Sequence, residues 1–203
     1  MKLLLASGNA KKRAEITAVL TPLGIDLVTA GSWGPLPEVV EDQPTFAGNA
    51  AKKAQSAALF ARTWSLADDS GLEVDCLGGA PGVLSARYGG VHGDDARNNA
   101  LLLERLRDVP APQRGARFVC ALALARPDGS IALAVQGLAR GRIASAPRGT
   151  RDFGYDPLFE FDEAGFAQAG RTFAELSNEA KAEVSHRGRA LRALAQQLQS
   201  LRI

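Results

Sequence analysis

A short apolar run that ends in a polar turn and passes at once into a helical stripe constrains this chain more than any other feature. Leu3, Leu4, Leu5 and Ala6 precede Ser7-Gly8-Asn9, after which Ile16, Val19, Leu20 and Leu23 recur at i, i+3, i+4 and i+7. This order reads strand, turn, helix, and it demands a sheet with helices packed on it. The run is too short for a secretory signal peptide or a membrane span. Pro22 and Gly24 stop the helix, and a second strand is expected over residues 25–30.

Further along, Thr45 is placed to cap an Ala-rich helix reaching about Arg62, and a short strand over 64–67 is expected to end at Asp68-Asp69-Ser70-Gly71. Six glycines between Gly78 and Gly93 predict an irregular loop that needs something to pack against. Asp94 can cap a helix running to about Arg107. Apolar runs over 117–125 and 131–137, separated by Pro127-Asp128-Gly129-Ser130, predict a hairpin. Leu191, Leu194, Ala195, Leu198 and Leu201 form one stripe of a last amphipathic helix. The expectation is one α/β domain over 1–203 with a mixed sheet flanked by helices.

With 203 residues, 46% of them hydrophobic, the chain can bury a sizeable core. A formal net charge of +2 gives no basic field, and the cations form no blocks, so no nucleic acid polymer is expected as a partner. Cys76 and Cys120 lack metal-ligand spacing and predict neither zinc nor a disulfide framework. A protein of the cytoplasm, without a membrane partner, is expected. Only six of its 24 cationic residues are Lys, namely Lys2, Lys11, Lys12, Lys52, Lys53 and Lys181. Where Arg is the habitual cation, those compact ammonium groups mark positions to watch.

Four constellations could carry chemistry. Ser7-Gly8-Asn9-Ala10-Lys11-Lys12 lies where a strand feeds a helix, a place whose dipole favours an anion, and Lys12 could neutralise a phosphate. Asp68-Asp69 are adjacent acids. Alternation along a strand lets both serve one site only if the strand bends or ends there. Two carboxylates about 4 Å apart repel by roughly 4 kcal/mol at an effective dielectric of 20, which a divalent cation reverses. Oxygen-only ligands suit magnesium. Glu41 precedes a helix that sets Asn49 and Lys53 on one face at i, i+4 and could complete a metal site. Phe153-Gly154-Tyr155-Asp156-Pro157, with Lys181 and Ser185-His186-Arg187, offers a ring for a flat base and polar groups for its edge.

These segments, joined by Thr45-Phe46 with Asn49-Ala50 and Lys53-Ala54, by Gly78-Gly79-Ala80-Pro81-Gly82, by Ser85-Ala86-Arg87-Tyr88 and by Gly188, fall in one order over nearly the whole chain. Together they resemble the inosine/xanthosine triphosphate pyrophosphatases, housecleaning enzymes for deaminated purine nucleotides. The resemblance implies an elongated mixed sheet in two lobes with a central cleft, a homodimer, and magnesium-dependent hydrolysis of inosine, deoxyinosine and xanthosine triphosphates to monophosphate and pyrophosphate. It also assigns roles. Asp69 would be the base or metal-bound activator of water, with Glu41, Asp69 and Asp68 positioning Mg2+. Ser7, Gly8, Asn9, Ala10, Lys11, Lys12 and Lys53 would hold the triphosphate, and Ser70 would touch substrate. Phe153, Gly154, Tyr155, Asp156, Lys181, His186 and Arg187 would bind the nucleoside. The chain departs from the family pattern at Asp152, where members usually have Gly, so a charge is added and glycine-only backbone angles are forbidden.

Two other readings compete. One is a similar hydrolase of pyrimidine or modified nucleotides, opposed by Phe153-Gly154-Tyr155-Asp156 and Ser185-His186-Arg187. The other is a catalytically silent nucleotide-binding module, opposed by the paired acids.

Overall fold

In the computed structural model, residues 2–150 and 153–201 are described. The first strand, β1 (Lys2–Leu5), leads through the Ser7–Asn9 turn to α1 (Ala10–Leu20), as the pattern requires. A 3-10 turn over Thr21–Leu23 then closes at Gly24, whose φ of 75° is left-handed. Because Pro22 tightens this turn, Leu23 leaves the helical stripe and is 46% exposed. β2 (Asp26–Val28) follows, shorter than the expected 25–30. Thr45 does cap α2 (Phe46–Ala61), its hydroxyl accepting from the Gly48 amide.

β3 (Ser65–Val74) corrects one expectation. Far from ending at Asp68-Asp69, the strand runs through both acids and through Ser70-Gly71. Gly71 is there for close approach: a Cβ on it would lie 2.3 Å from the Ser85 hydroxyl oxygen. That hydroxyl accepts from the Leu72 amide at 2.9 Å and donates to the Gly82 carbonyl at 2.6 Å. A glycine that reads as a turn signal here lets a serine sit against a strand.

α3 (Asp95–Arg105) is capped by Asp94, which accepts from the Arg97 amide. β4 (Gly115–Ala125) and β5 (Ile131–Ile143) form the expected hairpin, with Gly129 at φ 85° in its turn. β5 continues six residues past Gly137, the expected end. Gly137 is again a contact glycine, since a Cβ there would lie 2.2 Å from the His186 carbonyl oxygen. β6 (Phe159–Phe161), α4 (Asn178–Val184) and α5 (His186–Ser200) complete the chain. The sheet order is β2-β1-β3-β4-β5-β6. β1 is parallel to β2 and β3, and β6 is antiparallel to β5, so the sheet is mixed and the fold is α/β. No described helix is long and apolar enough to cross a membrane.

The chain divides into two compact units, one formed by Met1–Asp69, Cys120–Gly137 and His186–Ile203, the other by Ser70–Val119 and Leu138–Ser185. In the first, Leu3, Leu5, Ile16, Leu20, Leu66, Leu122, Leu191 and Leu194 share one buried cluster. In the second, Phe159 packs at 4.7 Å from Phe118 and 4.9 Å from Phe173, ring centre to ring centre. Tilted pairs of this kind add to the burial of the rings themselves.

The two thiols differ sharply. Cys76 is exposed, whereas Cys120 is fully buried in the first unit's core and burial pushes its thiol up to about 12. A thiolate-seeking reagent at neutral pH should therefore label one thiol per folded chain and two after denaturation. Two fast-reacting thiols in the native protein would contradict this core.

Candidate functional site

Continuity of β3 decides where its two acids go. Successive side chains of a strand point to opposite faces, and the partners follow that rule. Asp68 meets Lys12 of α1 at 2.9 Å and Arg187 of α5 at 3.9 Å, and α1 and α5 pack against each other. Asp69 meets Lys53 at 3.1 Å and the amide of Asn49 at 3.2 Å, both on α2. The two carboxylates therefore do not converge on one ligand. Glu41, Asp68 and Asp69, grouped as magnesium ligands by the resemblance, form no three-acid cluster among the described residues.

Asp68 is 2% exposed. Burial alone would raise its carboxyl, but Lys12 and Arg187 more than offset this and hold it below its ordinary value. Arg187 is equally buried, and is kept charged by Glu15 and Asp68 against the cost of its burial. Glu15 escaped the sequence reading. Its only signal was the Lys12-x-x-Glu15 spacing, which sets both on one side of α1.

On the other face, the Lys53 ammonium lies 2.8 Å from Glu41 and 3.1 Å from Asp69. Asn49, fully buried, joins the same parts. While its amide donates to Asp69, its carbonyl accepts from the Gln43 amide at 3.0 Å. Burial lifts the Asp69 carboxyl above its ordinary value, Glu41 adds to this, and Lys53 with Asn49 offsets it in part. Lys53 is itself raised, since attraction to Asp69 and Glu41 outweighs its desolvation. Asp42 goes elsewhere, to Lys52 at 2.8 Å on the surface, which leaves Glu41 as the inward acid of that pair. Lys53 also lines a pocket of about 180 Å³ with Ser7, Gly8, Leu36 and Pro37. Beside it Asn9 caps α1 by accepting from the Lys12 amide, and Gly8, Asn9, Ala10 and Lys11 are exposed. A phosphate chain fits a helix N-terminus with ammonium groups on either hand.

The second unit assembles Phe153, Asp156 and Lys181. Lys181 pairs with Asp156, and its ammonium sits 5.3 Å from the centre of the Phe153 ring. The Tyr155 hydroxyl donates to the Ser85 carbonyl at 2.9 Å, and burial pushes that phenol up. Tyr155 is thus a packed support rather than an open face. Ser70 is half-buried on β3, and His186 is 4% exposed at the start of α5. Asp152 lies outside the described residues.

The two acids of β3 should respond unequally to neutralisation. Asp68→Asn leaves Lys12 and Arg187 short of a buried counter-charge, a loss of about 3 kcal/mol. At roughly 2–4 °C per kcal/mol, Tm should fall by about 6–12 °C. Asp69→Asn relieves a carboxyl that burial already disfavours and leaves Lys53 on Glu41, so in metal-free buffer Tm should move by no more than about 2 °C. Equal melting of both variants would show that the acids are not on separate faces.

Comparison with known proteins shows the family. A family model, that of the Ham1 family, matches residues 3–197. The "dITP/XTP pyrophosphatase" of Rhodopirellula baltica is 50% identical over 97% of this chain and 92% of its own length. That of Mycolicibacterium paratuberculosis is 50% identical over 98% and 96%. Among solved structures, a HAM1 protein from Coxiella burnetii superposes with a TM-score of 0.88 at 37% identity, covering 98% of this chain and 99% of that one. A nucleoside-triphosphatase / dITP/XTP pyrophosphatase from Mycobacterium abscessus gives 0.77 at 48% identity, covering 96% and 98%. With its fold, its ordered motifs and its sequence matched over nearly their full length, the chain belongs to the Ham1 family.

Proposed function

We propose that this chain hydrolyses non-standard purine nucleoside triphosphates, those of inosine, deoxyinosine and xanthosine, to the monophosphate and pyrophosphate. The observation that carries the reading is the Glu41–Lys53–Asp69 cluster next to the Ser7–Gly8 pocket. It sets a buried carboxylate of raised proton affinity beside an ammonium group at a phosphate-sized cavity. The relatives' names, dITP/XTP pyrophosphatase, support the substrate class.

In this reading Asp69 takes the proton from the attacking water as it adds to the α-phosphorus, and its raised proton affinity suits that task. Lys53 and Lys12 neutralise charge on the phosphates, which lets pyrophosphate leave. Asn49 fixes the Asp69 carboxylate. Glu41 and Asp69 are oxygen donors already spaced around one shared cation, Lys53, and such a pair fits magnesium, which asks for one or two carboxylates and completes its shell with phosphate and water. When bound there, magnesium would supply charge to polarise the phosphates. Asp68 is not part of that set, because Lys12 and Arg187 occupy it.

Phe153 offers its ring to the base, and the Lys181 ammonium supplies a donor for a 6-oxo group. The 6-amino group of adenine would oppose donor to donor and leave buried groups unpaired. In the first unit, His186 and Arg187 are the residues proposed to bind the nucleoside. We place the enzyme in the cytoplasm, where nucleotide pools supply such substrates.

Inosine or xanthosine triphosphate should show kcat/KM at least about 100-fold above ATP, a gap of roughly 2.7 kcal/mol. The products should be monophosphate and pyrophosphate, formed only with a divalent metal present. In the same assay Asp69→Asn should lower kcat at least about 100-fold. Equal turnover of ATP, or release of orthophosphate as the first product, would overturn the reading. The protein should also be a homodimer, because Leu84 and Val91, in the Gly-rich 78–93 segment, are 48% and 49% exposed and suit an apolar contact. Light scattering that reports a monomer at micromolar concentration would count against it.

A further inference from the structure

Gly154 is gripped through its backbone by a single helix. Its amide donates to Oδ2 of Asp95 at 2.7 Å, and its carbonyl accepts from Nδ2 of Asn99 at 2.8 Å. Asp95 and Asn99 stand at i, i+4 on α3, so one helical face presents the acceptor and the donor together. These two bonds fix different peptide planes. The amide belongs to the Phe153–Gly154 peptide and the carbonyl to the Gly154–Tyr155 peptide, and the φ of 57° between them is one that glycine adopts readily. A carboxylate acceptor makes the first bond charge-assisted and strong. Nothing in the helix itself requires Asp95, since Asp94 is the cap. The other Asn99 amide atom, Oδ1, is buried without a donor among the described residues. The asparagine is thus turned toward Gly154 although that leaves an acceptor unmet.

Downstream, Tyr155 is tied to Ser85 and Asp156 to Lys181. Upstream, the Phe153 ring depends on the Phe153–Gly154 plane for its direction. We propose that Asp95 and Asn99 are positioning residues for purine selectivity, locking the two peptide planes of Gly154 so that the Phe153 ring and the Lys181 ammonium keep a fixed relation. The inference rests on the reading of Phe153–Asp156 as nucleoside-binding. Asp95 and Asn99 touch no reacting atom in it. Loosening the lock raises KM for the preferred base and erodes discrimination while the chemical step continues.

The test compares Asp95→Ala, Asp95→Asn, Asn99→Asp and Phe153→Ala in the full-length protein, with inosine triphosphate and ATP as substrates. Asp95→Ala should raise KM for inosine triphosphate about 10-fold with kcat within about twofold, as expected for losing a bond to a charged group. The inosine-to-ATP ratio of kcat/KM should fall by a similar factor. Asp95→Asn keeps an acceptor and should restore most of it. Asn99→Asp, isosteric but setting a carboxylate against the Gly154 carbonyl, should act like Asp95→Ala. Without nucleotide, hydrogen exchange at the Gly154 amide should speed up at least about 10-fold in Asp95→Ala. If Phe153→Ala changes the ratio while Asp95→Ala and Asn99→Asp do not, the positioning role is overturned and the nucleoside reading stands. An unchanged ratio in Phe153→Ala would overturn both.

Discussion

Two neighbouring carboxylates buried in one strand impose most of what surrounds them. Asp68 and Asp69 are 2% and 6% exposed, and alternation along β3 turns them toward salt-bridge partners on different helices. Each face must therefore supply its own cations. One face is met by α1 with Lys12 and by α5 with Arg187, and α5 can begin close to β5 because Gly137 has no side chain to push it away. The other is met by α2, where four-residue spacing brings Asn49 and Lys53 to the same acid. On the Asp68 face the acid is paired with Lys12 and Arg187. The Asp69 face stays partly open to a pocket, and its acid keeps a raised proton affinity. Parity alone gives adjacent identical residues different partners.

Lysine usage fits the same division of labour. In an Arg-rich chain, Lys12, Lys53 and Lys181 sit on Asp68, Asp69 and Asp156, all three of them buried acids. A compact ammonium can be shared among several oxygens without the planar geometry that guanidinium imposes, and Lys53 does this between Glu41 and Asp69. Arginine appears where a fully buried cation must never lose its charge, as at Arg187.

Local chemistry made much of the fold readable in advance. Asn9, Thr45 and Asp94 act on amides within three residues, and helical periodicity marked Ile16, Leu20, Leu191 and Leu194 for the core. The misread strand ends share one cause. Gly71 and Gly137 looked like punctuation, yet each is small because something distant in sequence presses on it, Ser85 in one case and the start of α5 in the other. Likewise Glu15, Asp95 and Asn99 look like ordinary helix-surface residues, and their partners lie 172, 59 and 55 positions away. The strand's refusal to end at Asp68-Asp69 follows from the same kind of contact, and it settled which acid faces which helix.

The interleaving of the two units bears on how the protein is made. The first unit's core unites Leu3 and Leu5 with Ala190, Leu191 and Leu194, whereas every segment of the second unit lies between residues 70 and 185. On a ribosome that releases chain from the N-terminus, the second unit is complete while the first still lacks α5. Until residues 186–194 emerge, β1, α1 and the hairpin expose an unclosed leucine-rich surface, and the Asp68 carboxylate waits for Arg187. β1 is therefore sealed only after residues far behind it in the chain have joined its core.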